Sequence, residues 1–217
     1  AGTFRIAGNI SSQFISGLLF ALPLLDGESE IIITSPLESR PYIDLTIACL
    51  KTFGVEILYF NNTIVVKGNQ RFKPTTMEVE GDYSQAGFFL VSNMLGSEIK
   101  LTNISAKSMQ GDRAIVDIIG DMVSYKNTYT CFDIDSTHIP DLVPILTVLG
   151  CFADGISHIR NCHRLRIKES DRLEAITAVL NSIGADIRIV NEGLVINGVK
   201  SFSGGVCDSY NDHRIAM

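Results

Sequence analysis

The sequence predicts an α/β fold built from repeated βαβαββ units. The first observation is an internal repeat: Leu50–Gly68 and Leu180–Gly198 align without a gap, with identical Leu, Gly, Ile, Asn, Val and Gly residues at equivalent positions. The second is that in each copy a helical pattern ends at a glycine, Gly54 or Gly184, and two β-rich runs follow. The third is a hydrophobic content of 46% in 217 residues, which supplies a sizeable core. An α/β fold in which helices pack against sheets that end in hairpins accounts for the repeat, the β-rich runs and the large core.

The first unit is predicted from the residues that precede the first hairpin. Short β-rich runs alternate there with longer stretches of helical periodicity, an order that places helices against a sheet. Behind Ser11 and Ser12 the first helix has an apolar stripe of Phe14, Leu18, Ala21, Leu22 and Leu25. Asn61-Asn62 is the expected hairpin turn. The predicted elements are a strand at Thr3–Ile6, a helix at Ser11–Leu25, a strand at Glu30–Thr34 and a helix at Pro41–Phe53.

The last unit is predicted to repeat this order, and a middle unit lies before it. The last unit has its hairpin turn at Asn191-Glu192-Gly193. Its other predicted elements are a strand at Cys131–Ile134, a helix at Pro140–Phe152, a strand at Ile156–Arg160 and a helix at Glu169–Ile183. The middle unit, Met77–Cys131, is predicted to contain helices at Ser84–Leu95 and Arg113–Val123 and a compressed hairpin. The polar, proline-containing Lys73–Thr76 is the candidate linker, so we place a domain boundary near Val79, between residues 1–79 and 80–217.

Composition and charge exclude several classes of protein. With 24 acidic and 18 basic residues, the formal net charge of −6 argues against a broad nucleic-acid surface. No apolar run approaches the roughly 18 residues of a membrane span, and the first residues do not form a secretory signal. The 5 cysteines include no Cys-x-x-Cys pair, so they are expected to be reduced, with no disulfide framework or zinc site. We therefore expect a cytoplasmic protein that binds neither nucleic acid nor membranes, and any anion site must be local.

Polar residues stand at several predicted helix starts. Ser11, Ser12 and Gln13 would lie beside free backbone N–H groups at the positive end of a helix, which suits an anion, although simple capping explains them too. Ser39 and Tyr42 open the next helix in the same way. In the last unit Asp141 falls in a first helical turn, where the helix dipole favours the ionised carboxylate that a general base requires.

Leu165–Arg172 concentrates basic residues at a strand-to-helix junction. If Arg164, Arg166 and Lys168 are extended, they share one face, and Lys168 and Arg172 share a face on the following helix. The pattern predicts that four cations converge on a phosphate or carboxylate, with Glu169 and Asp171 interleaved. The alternative is a solvated, salt-bridged helix start. Near the end of the chain, a cap-like Asn211-Asp212 is followed by His213 and Arg214.

Taken together and in order, these motifs resemble those of the 3-phosphoshikimate 1-carboxyvinyltransferase (EPSP synthase) family of enolpyruvyl transferases. The resemblance covers essentially the whole chain. It rests on Ser11-Ser12-Gln13-Phe14, Arg40-Pro41-Tyr42-Ile43-Asp44, Phe53-Gly54-Val55, His138-Ile139-Pro140-Asp141, Lys168-Glu169-Ser170-Asp171-Arg172 and Asn211-Asp212-His213-Arg214. It implies a two-domain fold of the inside-out α/β barrel type, with three βαβαββ units in each domain. Residues 1–79 would be the last unit of the first domain, and residues 80–217 two units of the second.

The family's activity is the transfer of the enolpyruvyl group of phosphoenolpyruvate to the 5-hydroxyl of shikimate 3-phosphate, which releases phosphate. The resemblance implies no metal or organic cofactor and a monomeric parent protein. It assigns shikimate 3-phosphate to Ser11, Ser12, Gln13, Ser39, Tyr42, Asp141 and Lys168. It assigns phosphoenolpyruvate to Gln13, Arg172, His213 and Arg214. Asp141 would accept the proton of the attacking hydroxyl, and Glu169, with Lys168, would protonate the methylene carbon and later remove a proton.

Two other functions fit the same residues. A UDP-N-acetylglucosamine enolpyruvyl transferase has similar repeats, but neither the Lys168–Arg172 motif nor Ser11-Ser12-Gln13 is expected in it. A non-catalytic α/β module that captures phosphorylated metabolites is the alternative from a different class. The sequence also lacks counterparts of a lysine and an arginine early in the family's first domain and of a lysine near its C-terminus. We therefore expect the chain to be a fragment with little or no activity alone.

Overall fold

A computed structural model describes residues 1–123 and 129–217. The chain divides into two compact units. Unit 1 comprises residues 1–79 and 109–111, and unit 2 comprises residues 80–108 and 112–217. None of the helices in the described ranges combines the length and apolar character that crossing a membrane requires.

Unit 1 is a four-stranded sheet with two helices. Its strands follow the order β1-β2-β4-β3, with β1 parallel to β2 and β4 antiparallel to both of its neighbours. A 3₁₀ turn, Leu22–Leu24, extends the first helix. The elements are β1 (Thr3–Ile6), α1 (Ser12–Ala21), β2 (Ser29–Ile33), α2 (Arg40–Thr52), β3 (Ile57–Phe60) and β4 (Thr63–Val66).

Unit 2 contains a second sheet with the same topology, β5-β6-β8-β7. Its strands are β5 (Asp133–Asp135), β6 (Ile156–Arg160), β7 (Asp186–Val190) and β8 (Gly193–Asn197). Its helices are α3 (Tyr83–Met94), α4 (Ala114–Met122), α5 (Val143–Cys151), α6 (Arg172–Ser182) and the short α7 (His213–Ala216). Two 3₁₀ helices, Pro140–Leu142 and His163–Ile167, lead into α5 and towards α6. The predicted α/β class and the repeat are confirmed.

The hairpin turns explain why Asn recurs between the repeats. Asn61 and Asn62 both have positive φ, 45° and 59°, and Asn191 and Glu192 match them with 50° and 55°. Two successive left-handed residues form the type I′ turn that suits the twist of a hairpin, and Asn tolerates this conformation well. The second turn is therefore Asn191-Glu192 alone, and Gly193 is already the first residue of β8, not a turn residue as predicted.

The last glycine of each repeat is required by close approach of the backbone. A Cβ at Gly68 would lie 2.1 Å from the carbonyl oxygens of Leu25 and Gly27, and one at Gly198 would lie 1.9 Å from the carbonyl oxygen of Ala153. Real Cβ atoms do not come so close, so any side chain at either position forces the strand end away from the preceding loop.

The predicted apolar stripe of α1 is wrong for its exposed members, Phe14, Ala21 and Leu25. Leu22 is buried as predicted, and Leu18 packs against the core partly buried. Phe14 is 60% exposed, and the buried face is formed by Ile15, Leu19 and Leu22, which pack with the sheet of unit 1. Both sets follow the spacing of a helical face, and α1 carries apolar residues nearly all round. Periodicity therefore does not distinguish the core face here. On α6, by contrast, Leu173, Ile176 and Leu180 form a single buried stripe at helical spacing.

The middle segment has the two predicted helices, α3 and α4, but its strands differ from the prediction. Among its described residues only isolated bridges form, Val123 with Tyr129 and Thr130 with Asp154. One backbone hydrogen bond, from Gly81 N to Asn103 O (2.6 Å), joins the residues before α3 to those after it. A strand needs a ladder of such bonds. The predicted compressed hairpin falls on residues 124–128, which lie outside the described residues.

Candidate active site

The candidate site of unit 2 is built where helices begin. Asp141 lies in the 3₁₀ turn before α5, and Lys168 and Glu169 lie in the loop between β6 and α6. Arg172 is the first residue of α6, and Arg214 is the second residue of α7. These side chains converge, as the contacts below show. Sequence reasoning thus identified most of the charged residues of the cluster.

Arg172 is the centre of the cluster. It is only 1% exposed. Its Nε lies 2.7 Å from Asp212 Oδ2 and its Nη2 lies 3.2 Å from Asp212 Oδ1, so Asp212 binds it in a bidentate way. Nη1 lies 3.0 Å from Asp141 Oδ1, and Nη2 lies 2.6 Å from Glu169 Oε2. Burial alone would lower the pKa of Arg172, but Asp212 and the other two carboxylates raise it instead. Three carboxylates therefore fix this guanidinium and neutralise it.

Asp212 is the member of the cluster that sequence reasoning missed as a site residue. Its side chain is 0% exposed, and besides Arg172 it accepts hydrogen bonds from Ser170 Oγ (3.0 Å) and from the backbone N–H of Arg214 (2.9 Å). Burial would raise the pKa of Asp212, but the hydrogen bonds from Arg172 and Arg214 hold it below its ordinary value. The sequence correctly indicated that Asp212 caps α7. A capping pattern is local, however, so it does not predict that Asp212 also binds Arg172.

Asp141 is surrounded by cations. Its Oδ1 lies 3.3 Å from Lys168 Nζ and 3.0 Å from Arg172 Nη1, and its Oδ2 lies 3.5 Å from Arg214 Nη2. Burial would raise the pKa of Asp141, but the charges of Lys168, Arg214 and Arg172 lower it overall. The carboxylate is therefore ionised at neutral pH.

Arg214 has a different environment from Arg172. Its guanidinium donates to Ser84 Oγ (Nη2, 2.9 Å) and to Ser84 O (Nη1, 3.4 Å), both at the start of α3. Its neighbour His213 is 51% exposed, with Nδ1 3.8 Å from Asp212 Oδ1. The short α7 thus turns the arginine into the cluster and the histidine towards solvent.

The prediction that four cations converge in the segment Arg164–Arg172 is wrong. Residues 163–167 form a 3₁₀ helix, so they are not extended, and Arg164 is buried within unit 2. Arg166 turns to the surface, where it binds Glu192 (2.6 Å), Asp171 (3.0 Å) and Glu174 (3.2 Å). The alternative interpretation, a solvated helix start stabilised by salt bridges, is therefore correct for Arg166.

The spacing of Lys168 and Arg172 also differs from the prediction. Lys168 precedes α6 in a nearly extended conformation, so the two residues do not share a helical face. They meet instead through Asp141, which contacts both. The cluster thus balances three cations, Lys168, Arg172 and Arg214, against three carboxylates, Asp141, Glu169 and Asp212.

Unit 1 presents its predicted site residues at the N-termini of α1 and α2. Ser11 is extended (φ −154°) and caps α1, with Oγ accepting from Gln13 N at 3.2 Å. Ser12 is buried in the first turn and Gln13 is exposed. Ser39 is buried and left-handed (φ 52°), unlike the extended Ser11, so capping does not describe it. Tyr42 follows in the first turn of α2.

The described part of the chain offers no cluster of metal ligands, and two of its cysteines are buried core thiols. Within residues 1–123 and 129–217, no three His, Cys, Asp or Glu side chains are placed to hold a metal ion. Burial raises the pKa of Cys151 to about 12 and that of Cys162 to about 11. Both are protonated at neutral pH and serve as core residues, as expected for Cys151.

Comparison with known proteins gives one consistent result. The chain matches the family described as EPSP synthase (3-phosphoshikimate 1-carboxyvinyltransferase) over residues 1–217. It is 49% identical to the 3-phosphoshikimate 1-carboxyvinyltransferase of Clostridium novyi (strain NT), a match that covers 100% of this chain and 52% of that protein. It is 48% identical to the protein of the same name from Clostridium perfringens (strain SM101), covering 100% of this chain and 54% of that protein.

A solved structure has the same fold. The 2.37 Å structure of EPSP synthase from Acinetobacter baumannii superimposes with a TM-score of 0.79 at 23% identity, and the match covers 99% of this chain and 54% of that chain. The chain thus spans about half the length of the curated relatives it matches.

Proposed function

The chain belongs to the EPSP synthase family, and from this premise we propose that it supplies part of an enolpyruvyl-transfer site. The reaction moves the enolpyruvyl group of phosphoenolpyruvate to the 5-hydroxyl of shikimate 3-phosphate and releases phosphate. The observation that carries the proposal is the partly buried Asp141, ionised and held by Lys168, Arg172 and Arg214. Both substrates are phosphorylated carboxylates, and cations beside a fixed carboxylate suit proton removal from a hydroxyl bound next to them.

We assign the proton transfers to three residues. Asp141 accepts the proton of the attacking hydroxyl. Its low pKa makes it a weak base, but the neighbouring cations stabilise the charge that develops on the substrate during transfer. Glu169 is half exposed and therefore free to reach a substrate carbon, and Lys168 lies next to it in the same loop. These two exchange the proton of the methylene group.

Anion binding falls to the two arginines, with His213 near the phosphoenolpyruvate site. The hydrogen bonds of Arg172 to described residues all go to carboxylates, so an anionic ligand that binds this guanidinium competes with them. Asp212 is fully buried and bidentate, whereas Glu169 is 51% exposed and holds Arg172 by one hydrogen bond. Glu169 is therefore the partner that a ligand displaces. The displacement would release Glu169 at the moment a substrate arrives.

In unit 1 we propose that the helix starts bind shikimate 3-phosphate. Ser11, Ser12 and Gln13 offer two hydroxyls, an amide and free backbone N–H groups at the positive end of α1. Ser39 and Tyr42 add hydroxyls at the start of α2. Gln13 is also assigned to phosphoenolpyruvate.

The assignment of the two units to domains is part of the same proposal. Residues 1–79 would be the last βαβαββ unit of a first domain, and residues 80–217 would be two units of a second. The whole enzyme would be a cytoplasmic monomer that requires neither metal nor organic cofactor and binds neither nucleic acid nor membranes.

Asp141→Ala in the full-length protein tests the function. Loss of a general base typically lowers turnover about 10²–10⁴-fold, whereas binding of shikimate 3-phosphate should largely persist because the cations remain. Asp133→Ala is the matched control, because Asp133 forms only an exposed pair with Arg160. Unchanged turnover in Asp141→Ala would contradict the catalytic assignment and favour a binding module. Turnover with UDP-N-acetylglucosamine instead would identify the sibling enzyme.

The 217-residue chain alone should release phosphate slowly or not at all, since it spans half of its relatives. Release at a normal enzymatic rate by the purified chain would refute that expectation.

A further inference from the structure

We propose that Ser84 is a positioning residue that orients the guanidinium of Arg214 and leaves its charge available to an incoming anion. The inference rests on the proposed function for the identity of that anion, phosphoenolpyruvate. Ser84 lies in the first turn of α3, and 130 residues separate it from Arg214 in the chain. No motif considered in the sequence connects the two.

The contact is short and shielded from water. Ser84 and Arg214 are both buried, and Ser84 Oγ lies 2.9 Å from Arg214 Nη2. The carbonyl oxygen of Ser84 lies 3.4 Å from Nη1, so both terminal nitrogens point at one residue. Asp141, 3.5 Å away, is a more distant neighbour. The start of α3 therefore fixes the plane of the guanidinium.

The direction of each hydrogen bond follows from the chemistry of the groups. Ser84 Oγ lies 2.7 Å from Asp82 Oδ1, and a carboxylate can only accept, so the single hydroxyl hydrogen goes to Asp82. Arginine can only donate, so Ser84 accepts from Arg214. Asp82 also accepts from Ser84 N at 2.8 Å and so caps α3. A rigid helix start thereby holds the hydroxyl in its accepting orientation.

The consequence is a difference between the two arginines of the site. Arg172 is held by three carboxylates, which neutralise it. Arg214 has one carboxylate neighbour, Asp141 at 3.5 Å, which Lys168 and Arg172 also contact, and its shortest described contact is the neutral hydroxyl of Ser84, which orients the cation without cancelling its charge. An incoming anion is therefore attracted more strongly to Arg214, and Ser84 is what keeps that guanidinium in place.

The test measures, by calorimetry, the binding of phosphoenolpyruvate to the Ser84→Ala, Arg214→Ala and double variants of the full-length protein, without shikimate 3-phosphate so that no turnover occurs. We expect Ser84→Ala to raise Kd about 10-fold, the typical effect of losing one charge-assisted hydrogen bond. In the Arg214→Ala background the same change should have no further effect, because Ser84 acts through Arg214. Ser92→Ala, on the same helix but paired with Ser97, is the control and should leave Kd unchanged.

Ser84→Ala keeps the hydrogen bond from the backbone N–H of residue 84 to Asp82. If Ser84→Ala does not fold, Ser84→Cys is the second variant, because a thiol is a much weaker hydrogen-bond acceptor than a hydroxyl. The proposal is overturned if Ser84→Ala binds like Ser92→Ala while Arg214→Ala binds weakly, a result that leaves the proposed function intact. It is also overturned if Ser84→Ala weakens binding equally in both backgrounds, which shows a merely structural role. If Arg214→Ala itself binds normally, both this inference and the assignment of phosphoenolpyruvate to Arg214 fail.

Discussion

Asp212→Ala should be among the most destabilising single changes in unit 2. Arg172 and Asp212 are both almost completely shielded from water, and two hydrogen bonds of 2.7 and 3.2 Å join them. Removing one partner of a buried ion pair leaves the other charge uncompensated, at a cost of about 3–5 kcal/mol. Asp141 and Glu169 still contact Arg172, which places the expected loss near the lower end of that range. Loss of the α7 cap adds about 1 kcal/mol.

Urea unfolding of the 217-residue chain measures this loss. The matched control is Asp133→Ala, because Asp133 also binds an arginine closely, Arg160 at 2.9 Å, but with both side chains more than half exposed. Exposed pairs contribute about 0–1 kcal/mol, so the control should unfold close to the unaltered chain. If Asp212→Ala and Asp133→Ala differ by less than about 1 kcal/mol, the buried pair does not stabilise unit 2 as argued here.

Three further predictions concern the site and the repeat. Glu169→Gln should bind phosphoenolpyruvate several-fold tighter by calorimetry while losing turnover, because a competing carboxylate is gone; Glu174→Gln, exposed and paired with Arg166, should change neither. The pKa of Asp212 is lower in the folded state than its ordinary value of about 3.9. The stability that ionised Asp212 contributes is therefore present above about pH 3.9 and is lost as the pH falls through the folded-state pKa. Asp212→Asn should accordingly make the unfolding free energy, measured by urea unfolding, less dependent on pH in the acid range. Gly198→Ala should lower the unfolding free energy by about 1–3 kcal/mol, whereas Gly120→Ala, on a helix with open space, should leave it equal or higher; equal stability of the two would contradict the close approach.

The parts of the fold that the sequence predicted well are those determined locally. The Asn61-Asn62 turn and the glycine after each repeat helix act through their own backbone conformation, so the hairpins could be located from a few residues. The absence of strands among the described residues of the middle segment could not be predicted, because a strand exists only with a hydrogen-bonded partner and propensity does not supply one. The core face of α1 failed for a related reason: the sheet decides which of two apolar faces is buried.

The site shows the same division between local and distant information. Asp141, Lys168 and Arg172 were recognised because charged residues at helix starts are visible in the sequence. Their partners were not, since Asp212 binds Arg172 across 40 positions and Ser84 binds Arg214 across 130. Spacing arguments also assumed regular backbone where the chain forms a 3₁₀ helix, which is why Arg166 was placed in a cluster it does not join.

The balance of three cations and three carboxylates accounts for how a site for anions can be buried in a chain of net charge −6. Uncompensated cations at this depth would repel one another and lose hydration, so the empty site needs internal counter-ions. Those counter-ions are not equivalent. Asp212 is sealed in the interior and stays with Arg172, Asp141 is shared by all three cations, and Glu169 reaches water. Under the proposed function, an anion would add its charge where Glu169 can leave and beside Arg214, whose shortest described contact is the neutral hydroxyl of Ser84. The same cluster would then balance its own charges and still accept a phosphorylated carboxylate.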